Sequence, residues 1–362
     1  MILLHIIPTL EGGGAERQLC MLAAEQASRG HSVHLAVRRT GVYEDRMRQC
    51  GIRIHGLGDM RSVNPKLLLA ITRLIRTIKP VIVQTWLPQM DVLGGIAALL
   101  TGTRWVVSER TSARYYREIP VFARLRLLLG QSASSIVANS SGGEQYWRMS
   151  ARPELKLATI PNALDIARIR EAGLGMTREV NEAALLLVVG RFNSGKALEV
   201  IVRAIGQLSQ GQTPPINVLM MGEGSERSAI VREIEGASLQ DRIKLLPYQS
   251  DWWKWLGVAD GLISMSRYEG NPNVVLEAMA GGCPVVLSDI PAHREIADAS
   301  SALFVPADDV NALSAAIEHL VADRRAALQR AGRATERVAS MTVTAMADAY
   351  DAVYNEALSG QG

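Results

Sequence analysis

The chain has 362 residues, enough for two domains of ordinary size, and its 48% apolar and 21% charged residues are the balance of a globular protein, not of a disordered or fibrous one. Three cysteines, Cys20, Cys50 and Cys283, make neither a disulfide framework nor a Cys-x-x-Cys metal pattern, which predicts a reducing, cytoplasmic setting. The net charge of +3 hides a split: residues 1–175 carry 23 basic and 13 acidic side chains and the rest 16 and 23, so the first half suits an anionic surface or substrate.

The apolar start, Met1–Leu10, lacks the basic residues and cleavage site of a signal peptide. Ile2–Ile7, Val33–Val37, Val81–Trp86, Arg104–Ser108 and Ser135–Asn139 read as buried strands, separated by helical segments such as Ala15–Ser28 and Pro65–Ile78. That alternation predicts a parallel, doubly wound α/β sheet. Gly12, Gly13 and Gly14 stand between the first strand and its helix, where free N–H groups suit a phosphate. The other reading is a plain turn. A dinucleotide G-x-G-x-x-G pattern fails, because Arg17 holds its sixth position. His31 and His34 are the only close histidine pair and read as structural.

Ala113–Leu129 interleaves Arg114, Arg117, Arg124 and Arg126 with Tyr115, Tyr116, Val121, Phe122 and Leu125. It reads either as a basic amphipathic stretch for an anionic membrane surface or as a solvated helix face over core. No nucleic-acid recognition motif accompanies the charge, and no nucleic-acid partner is expected. The run that begins at Leu127 is too short and polar to span a bilayer.

The polar stretch Gly173–Ala184 reads as a linker. A second strand series follows: Leu185–Gly190, Ile216–Gly222, Ile243–Pro247, Gly261–Met265 and Pro284–Ser288. The predicted domains are 1–175 and 184–338, with 339–362 as a closing segment. Within it, Thr342–Leu358 sets Tyr350 and Tyr354 on one face of a helix returning to the first domain. Asp251–Leu256 is expected to be a helix on the second sheet.

Val188–Val200 admits two readings. Gly190, Gly195 and Lys196 fit G-x-x-x-x-G-K, but Ala197 stands where a Mg²⁺-binding hydroxyl is required. Alternatively, Arg191 and Lys196 are two cations at a strand-to-helix turn, able to neutralise a diphosphate, or ordinary charges on a solvated loop. Further on, Glu269 and Glu277 are separated by seven residues. Asn271–Pro272–Asn273 predicts a helix start near Asn273, which puts Glu277 about one turn inside. A carboxylate there can accept from vicinal hydroxyls, and Gly281 and Gly282 end the helix. In open α/β sheets ligands bind at the carboxyl ends of strands, so two facing domains would form a cleft.

These motifs in this order resemble the retaining glycosyltransferases of family 4. The Glu269–Glu277 pair resembles that family's E-x7-E signature, and Gly13–Gly14–Ala15–Glu16–Arg17 its first loop. Gly190–Arg191 with Lys196 resembles its G-R-x-x-x-x-K element, Ile160–Asp165 its I-P-N-G-V/I-D element, and Gly222–Glu223–Gly224 its G-x-G pair. The agreement covers roughly residues 2–320 and displaces both the triphosphate and the dehydrogenase readings. The resemblance implies a GT-B fold: two facing Rossmann-like doubly wound α/β domains, the first binding acceptor and the second donor, with a C-terminal helix packing back on the first.

The resemblance also implies roles. Arg191 and Lys196 would hold the donor pyrophosphate, with Gly190, Gly222 and Glu223 beside them. Glu277 would take the ribose hydroxyls. Glu269 and the backbone of Gly270, Asn271, Pro272, Asn273 and Val274 would face the transferred sugar, and Gly13 and Gly14 would let the first loop reach the donor. The expected reaction moves a hexose or N-acetylhexosamine from a UDP- or GDP-sugar to a glycan or a lipid-linked polyprenyl diphosphate acceptor in cell-surface polysaccharide synthesis. No cofactor and no metal are expected, because no Asp-x-Asp clamp is present. The expected location is the cytoplasm, at the inner face of the plasma membrane if Ala113–Leu129 binds it. Three positions depart from the family: Ser108, Glu109 and Arg110 replace a first-domain His, Gln84–Thr85–Trp86 replaces an H-x-H strand end, and Ala197 replaces a Gly. Glu109 and Arg110 become the candidates for sugar or acceptor contact. Rival readings are a soluble GT-B enzyme, such as a disaccharide synthase or nucleotide-sugar epimerase, and an inactive sugar-nucleotide-binding scaffold.

Overall fold

A computed structural model describes residues 1–59, 64–111, 114–117, 119–150, 152–177, 183–209 and 215–359. Residues 113 and 118 of the basic stretch, 178–182 of the polar linker and 360–362 of the closing segment lie outside this description. The chain divides into two units, Met1–Ala163 with Met341–Gly362, and Leu164–Ser340.

The first unit runs β1 (Ile2–Thr9), α1 (Gly14–Ser28), β2 (Ser32–Arg39), α2 (Glu44–Gln49), β3 (Arg53–Gly56), α3 (Pro65–Ile78), β4 (Ile82–Trp86), α4 (Pro88–Thr101), β5 (Arg104–Glu109), α5 (Pro120–Gly130), β6 (Ser135–Ala138), α6 (Ser141–Arg148) and β7 (Leu157–Thr159). The second runs α7 (Ile166–Gly173), β8 (Ala184–Val189), α8 (Leu198–Leu208), β9 (Ile216–Met221), α9 (Arg227–Gly236), β10 (Ile243–Leu246), β11 (Gly261–Ser264), α10 (Asn273–Ala280), β12 (Val285–Ser288), α11 (Pro291–Ile296), β13 (Leu303–Val305), α12 (Val310–Ala322) and α13 (Arg324–Val338). Helix α14 (Val343–Ser359) belongs again to the first unit.

Both sheets are parallel, in the orders β3-β2-β1-β4-β5-β6-β7 and β10-β9-β8-β11-β12-β13. The strand order reverses beside β1 in the first sheet and beside β8 in the second. At such a point the loops leaving two adjacent strands diverge and open a crevice. Parallel strands covered on both faces read as near-continuous apolar runs. In β1, Leu3 and Ile7 join one core layer with Trp86, Tyr350 and Tyr354, while Leu4 and Ile6 join the opposite layer with Trp105 and Trp147. Each fully buried side chain of this size contributes about 1.5–3 kcal/mol.

Helix α14 closes the first layer as the sequence predicts. Tyr350 and Tyr354 are buried. Tyr354 donates to Gln84 and accepts from Gln26 Nε2 at 3.2 Å. Arg29, the C-cap of α1, pairs with Asp348 at 2.7 Å and Asp351 at 3.0 Å.

Strands β3, β7 and β13, absent from the sequence reading, lie at sheet edges and have three or four residues each. An edge strand needs no two-faced apolar run, so it leaves little periodic signal. The predicted boundary at residue 175 moves to Ala163/Leu164. Helix α7 packs on the second unit: Ile169 is buried, Arg170 Nε donates to Ala280 O at 3.3 Å, and Arg168 lies over the Trp253 ring at 5.6 Å. Trp252–Gly257 forms a 3-10 helix, with Trp252 and Trp253 buried. Among the described residues no helix is long and apolar enough to cross a membrane.

Candidate active site

The second unit's site is built at its switch point. After β8 the chain makes a 3-10 turn, Ser194–Lys196, and enters α8 through Ala197; after β11 it runs through Ser266 and Glu269 to α10. Gly190, Arg191 and Lys196 line a recess together with Ser264, Met265 and Ser266. The two predicted cations are therefore brought together at the ends of adjacent strands.

Lys196 donates its ammonium to Glu269 Oε1, which also accepts from Ser266 Oγ at 2.7 Å. Burial pushes Glu269 towards its protonated form, but the Lys196 charge and hydrogen bonds from Lys196 and Ser266 outweigh it. The carboxyl is held below its ordinary value, so it is ionised at neutral pH. Behind it, Ser288 Oγ donates to Ser266 O at 2.6 Å, and His293 Nδ1 donates to Ser288 O at 2.8 Å. Burial lowers the His293 pKa, so this imidazole stays neutral with its proton on Nδ1. Ser266 and His293 are parts of the site that the sequence reading missed; only their nearness to Glu269 and to β12 could have signalled them.

Helix α10 begins at Asn273, as predicted, with Pro272, which has no polar side chain to cap it, at the N-cap. Gly270, Asn271 and Val274 belong to the same helix entry. Glu277, one turn in, is buried, and its Oε2 accepts from Trp253 Nε1 at 3.0 Å. Gly222 has a packing role that the motif alone does not reveal: a Cβ there would sit 1.8 Å from Gly190 O. The β9 loop is thus pressed onto the turn that carries Arg191, and Phe192 N donates to Glu223 O at 2.8 Å. The Glu223 carboxylate lies 3.7 Å from Arg227.

In the first unit the structure corrects two expectations. The glycine loop does not leave the amides of Gly12 and Gly13 for a phosphate. Gly12 N and Gly13 N donate to Glu16 Oε2 at 2.6 and 2.7 Å, and Thr9 donates to Glu16 Oε1. An acidic residue at the third helical position fills the helix N-terminus itself, with Gly14 as the first residue of α1.

Glu109, expected at the sugar or acceptor, is fully buried. It accepts from Thr111 N at 2.9 Å, Tyr116 OH at 2.8 Å, Trp147 Nε1 at 2.9 Å and Arg126 Nη1 at 2.7 Å. Arg126 Nε in turn donates to Asp91 Oδ2 at 2.6 Å. An isolated buried charge is costly, which explains why these residues pair with one another and leave none for a ligand. Arg110 sits at the carboxyl end of β5. It donates to Asn162 Oδ1 at 3.0 Å and to the Tyr350 hydroxyl, with its guanidinium 4.7 Å above the Trp86 ring.

Comparison with known proteins adds the family. Residues 13–163 match the model described as Glycosyl transferase 4-like domain, and residues 176–337 that of Glycosyl transferases group 1. The lipopolysaccharide core biosynthesis glycosyltransferase LpsE of Rhizobium meliloti (strain 1021) is 23% identical over 342 residues, covering 93% of this chain and 94% of that protein. In Campylobacter jejuni, N-acetylgalactosamine-N,N'-diacetylbacillosaminyl-diphospho-undecaprenol 4-alpha-N-acetylgalactosaminyltransferase is 26% identical over 204 residues, 54% of this chain and about half (53%) of that protein. The crystal structure of Anabaena Alr3699/HepE in complex with UDP-glucose superposes with a TM-score of 0.85 at 18% identity, covering 98% of this chain and 99% of that one.

Proposed function

This chain belongs to the group 1 glycosyl transferases, a GT-B family with a 4-like first domain, and on that premise we propose a retaining, metal-independent transfer of a hexose or N-acetylhexosamine from a UDP- or GDP-sugar to a glycan or polyprenyl diphosphate-linked acceptor. Arg191 and Lys196 lining one recess at the ends of β8 and β11, with Glu269 paired to Lys196, is the observation that carries this reading. When the bond between sugar and diphosphate breaks, negative charge builds on the leaving phosphate. Cations already fixed beside it stabilise that charge with no reorganisation at the moment of reaction. Arg191 and Lys196 supply that charge in place of a metal, and the start of α10 at Asn273 adds the partial positive charge of a helix N-terminus. Glu277 accepts from ribose hydroxyls. The acceptor attacks on the face the diphosphate leaves, and the departing phosphate takes its proton. Glu269, paired with Lys196, orients the sugar.

The Anabaena protein's complex with UDP-glucose supports a nucleotide-sugar donor. The R. meliloti and C. jejuni relatives support a lipopolysaccharide or undecaprenol-linked acceptor, and the basic first half of the chain suits such an anionic partner.

The test is a thermal-shift screen against UDP, GDP, ADP, CMP and their sugars, with and without EDTA. A ligand that binds only the native state raises the melting temperature through RT ln(1 + [L]/Kd). A selective rise with one nucleoside diphosphate, unchanged by EDTA, is the expected result. A rise that EDTA abolishes would overturn metal independence, and no rise with any nucleotide would overturn the nucleotide-sugar donor.

A further inference from the structure

Three consecutive residues of the β11–α10 loop grip the same turn. Arg267 donates its backbone N–H to Gly195 O at 2.8 Å and its Nη1 to Ser194 O. Tyr268 lays its ring on Gly195, where a Cβ would come within 2.9 Å of Cζ. Glu269 takes the ammonium of Lys196. The Arg267 guanidinium reaches further than the turn. Its Nη2 meets Glu199 Oε1 in the first turn of α8 at 2.5 Å, and its Nε donates to Asp308 Oδ1 at 2.8 Å. One planar fork thus spans Ser194, two residues before Lys196, the helix after it and the loop leading to α12. Such forks impose geometry as well as attraction.

The turn needs an outside restraint. Ala197, next to Lys196, lies at φ +45° and ψ +45°, the left-handed region, which is unfavourable for a residue with a Cβ. A conformation of that kind persists only where the surroundings fix it. The acceptors around Arg267 raise its pKa further, so the clamp stays charged across all working pH.

We propose that Arg267 is a positioning residue. It acts through Lys196, holding the turn Ser194–Ala197 so that the ammonium faces the leaving diphosphate, and it does not itself touch substrate. The inference rests on the reading of Lys196 as the diphosphate's cation. Displacement of a reacting group by about 1 Å costs on the order of 10²-fold in rate, so a loosened turn should cost a large part of what deleting Lys196 costs.

The experiment is a double-mutant cycle on the full chain: wild type, Lys196→Ala, Arg267→Met and the pair. It is read as the dissociation constant of UDP and of GDP, and as release of nucleoside diphosphate from the corresponding sugar. Arg267→Met should lower turnover about 10-fold or more in the wild-type background and by less than about twofold once Lys196 is gone. Arg267→Lys keeps the charge but not the fork and should fall in between, again only where Lys196 is present. It also serves as the second variant if Arg267→Met folds poorly. Equal losses in both backgrounds would make Arg267 merely structural and overturn the proposal, as would normal turnover in Arg267→Met. Normal turnover in Lys196→Ala is a different failure: it removes the diphosphate reading on which the proposal stands.

Discussion

Lys196 and Glu269, 73 positions apart in the chain, meet as an ion pair at the ends of two neighbouring strands, and the pair keeps Glu269 ionised against its burial. Replacing either Lys196 or Arg191 by Ala should lower turnover on the order of 10²-fold or more, because each removes a preorganised cation from the leaving group. The pH profile separates the two. The Lys196 charge is the largest effect opposing burial at Glu269. Without it burial dominates, the Glu269 pKa rises, and the acid limb of the turnover–pH profile moves to higher pH. Arg191→Ala leaves the pair intact and should leave that limb in place. Steady-state rates from pH 4 to 8 check both, and an unmoved limb in Lys196→Ala would count against Glu269 as a group whose ionisation matters.

A second set of charges lies in the first unit, away from any solvent. Asp91 and Glu109 face one cation, Arg126, with Tyr116, Thr85 and Trp147 completing the hydrogen bonds. Burial pushes Asp91 up to about 6, although Arg126 and Thr85 pull it down. An acid whose folded pKa exceeds its unfolded value stabilises the fold fully below the unfolded value of 3.8 and loses that contribution as pH rises through about 6. The shift corresponds to something on the order of 3 kcal/mol. Relative to Asp91→Asn, wild-type stability should therefore decline between pH 4 and pH 7. Urea denaturation of both proteins at several pH values tests this, and parallel stability curves would refute it.

Glu277 carries two duties that different substitutions should separate. Its carboxylate accepts from Trp253 Nε1 in a buried setting, and it is the proposed ribose acceptor. Glu277→Ala leaves the indole N–H unpaired, a loss of about 1–3 kcal/mol, and should also weaken nucleotide binding. Glu277→Gln keeps an oxygen for the indole. Its melting temperature should stay near that of the wild type while the nucleotide dissociation constant rises. Calorimetry with UDP and GDP reads the second effect. Tight binding by Glu277→Ala would remove the ribose role.

Central strands and the α10 start at Asn273 were legible because each leaves a local mark, a two-faced apolar run and an Asn-Pro-Asn turn, whereas the pairing of Lys196 with Glu269, 73 positions on, leaves none. Glu109 was misplaced for a physical reason. A charged residue at the carboxyl end of a strand reads as a ligand group, and nothing local announces that Arg126, 17 residues on, is buried against it. Glu16 was likewise legible only as part of a motif, whereas its carboxylate fills the glycine loop. Ala197 shows the converse. The departure from the family's glycine was visible in the sequence, and its meaning, a left-handed backbone at the turn beside Lys196, needed coordinates.

Burial also redraws the test for membrane binding. Of the arginines on the basic stretch, Arg126 is inside the fold and Arg124 is outside, on a helix face that exposes Val121 at 79% and Leu128 at 69% with Leu125 between them. An apolar stripe beside basic side chains, with Arg114 and Arg117 exposed just before it, is chemistry that suits an anionic bilayer. Leu128→Gln and Arg124→Gln should each weaken binding to vesicles rich in anionic lipid; the Arg124 change should do so by roughly fivefold, the value of about 1 kcal/mol per basic residue near such a surface. Both should leave the melting temperature unchanged, because both side chains are exposed. Arg126→Gln should do the reverse, destabilising the fold by about 3–5 kcal/mol through two stranded carboxylates. Co-sedimentation at low and high salt reads the binding. If Leu128→Gln and Arg124→Gln sediment with vesicles as the wild type does, α5 is a structural helix and the positive first half of the chain serves the acceptor alone.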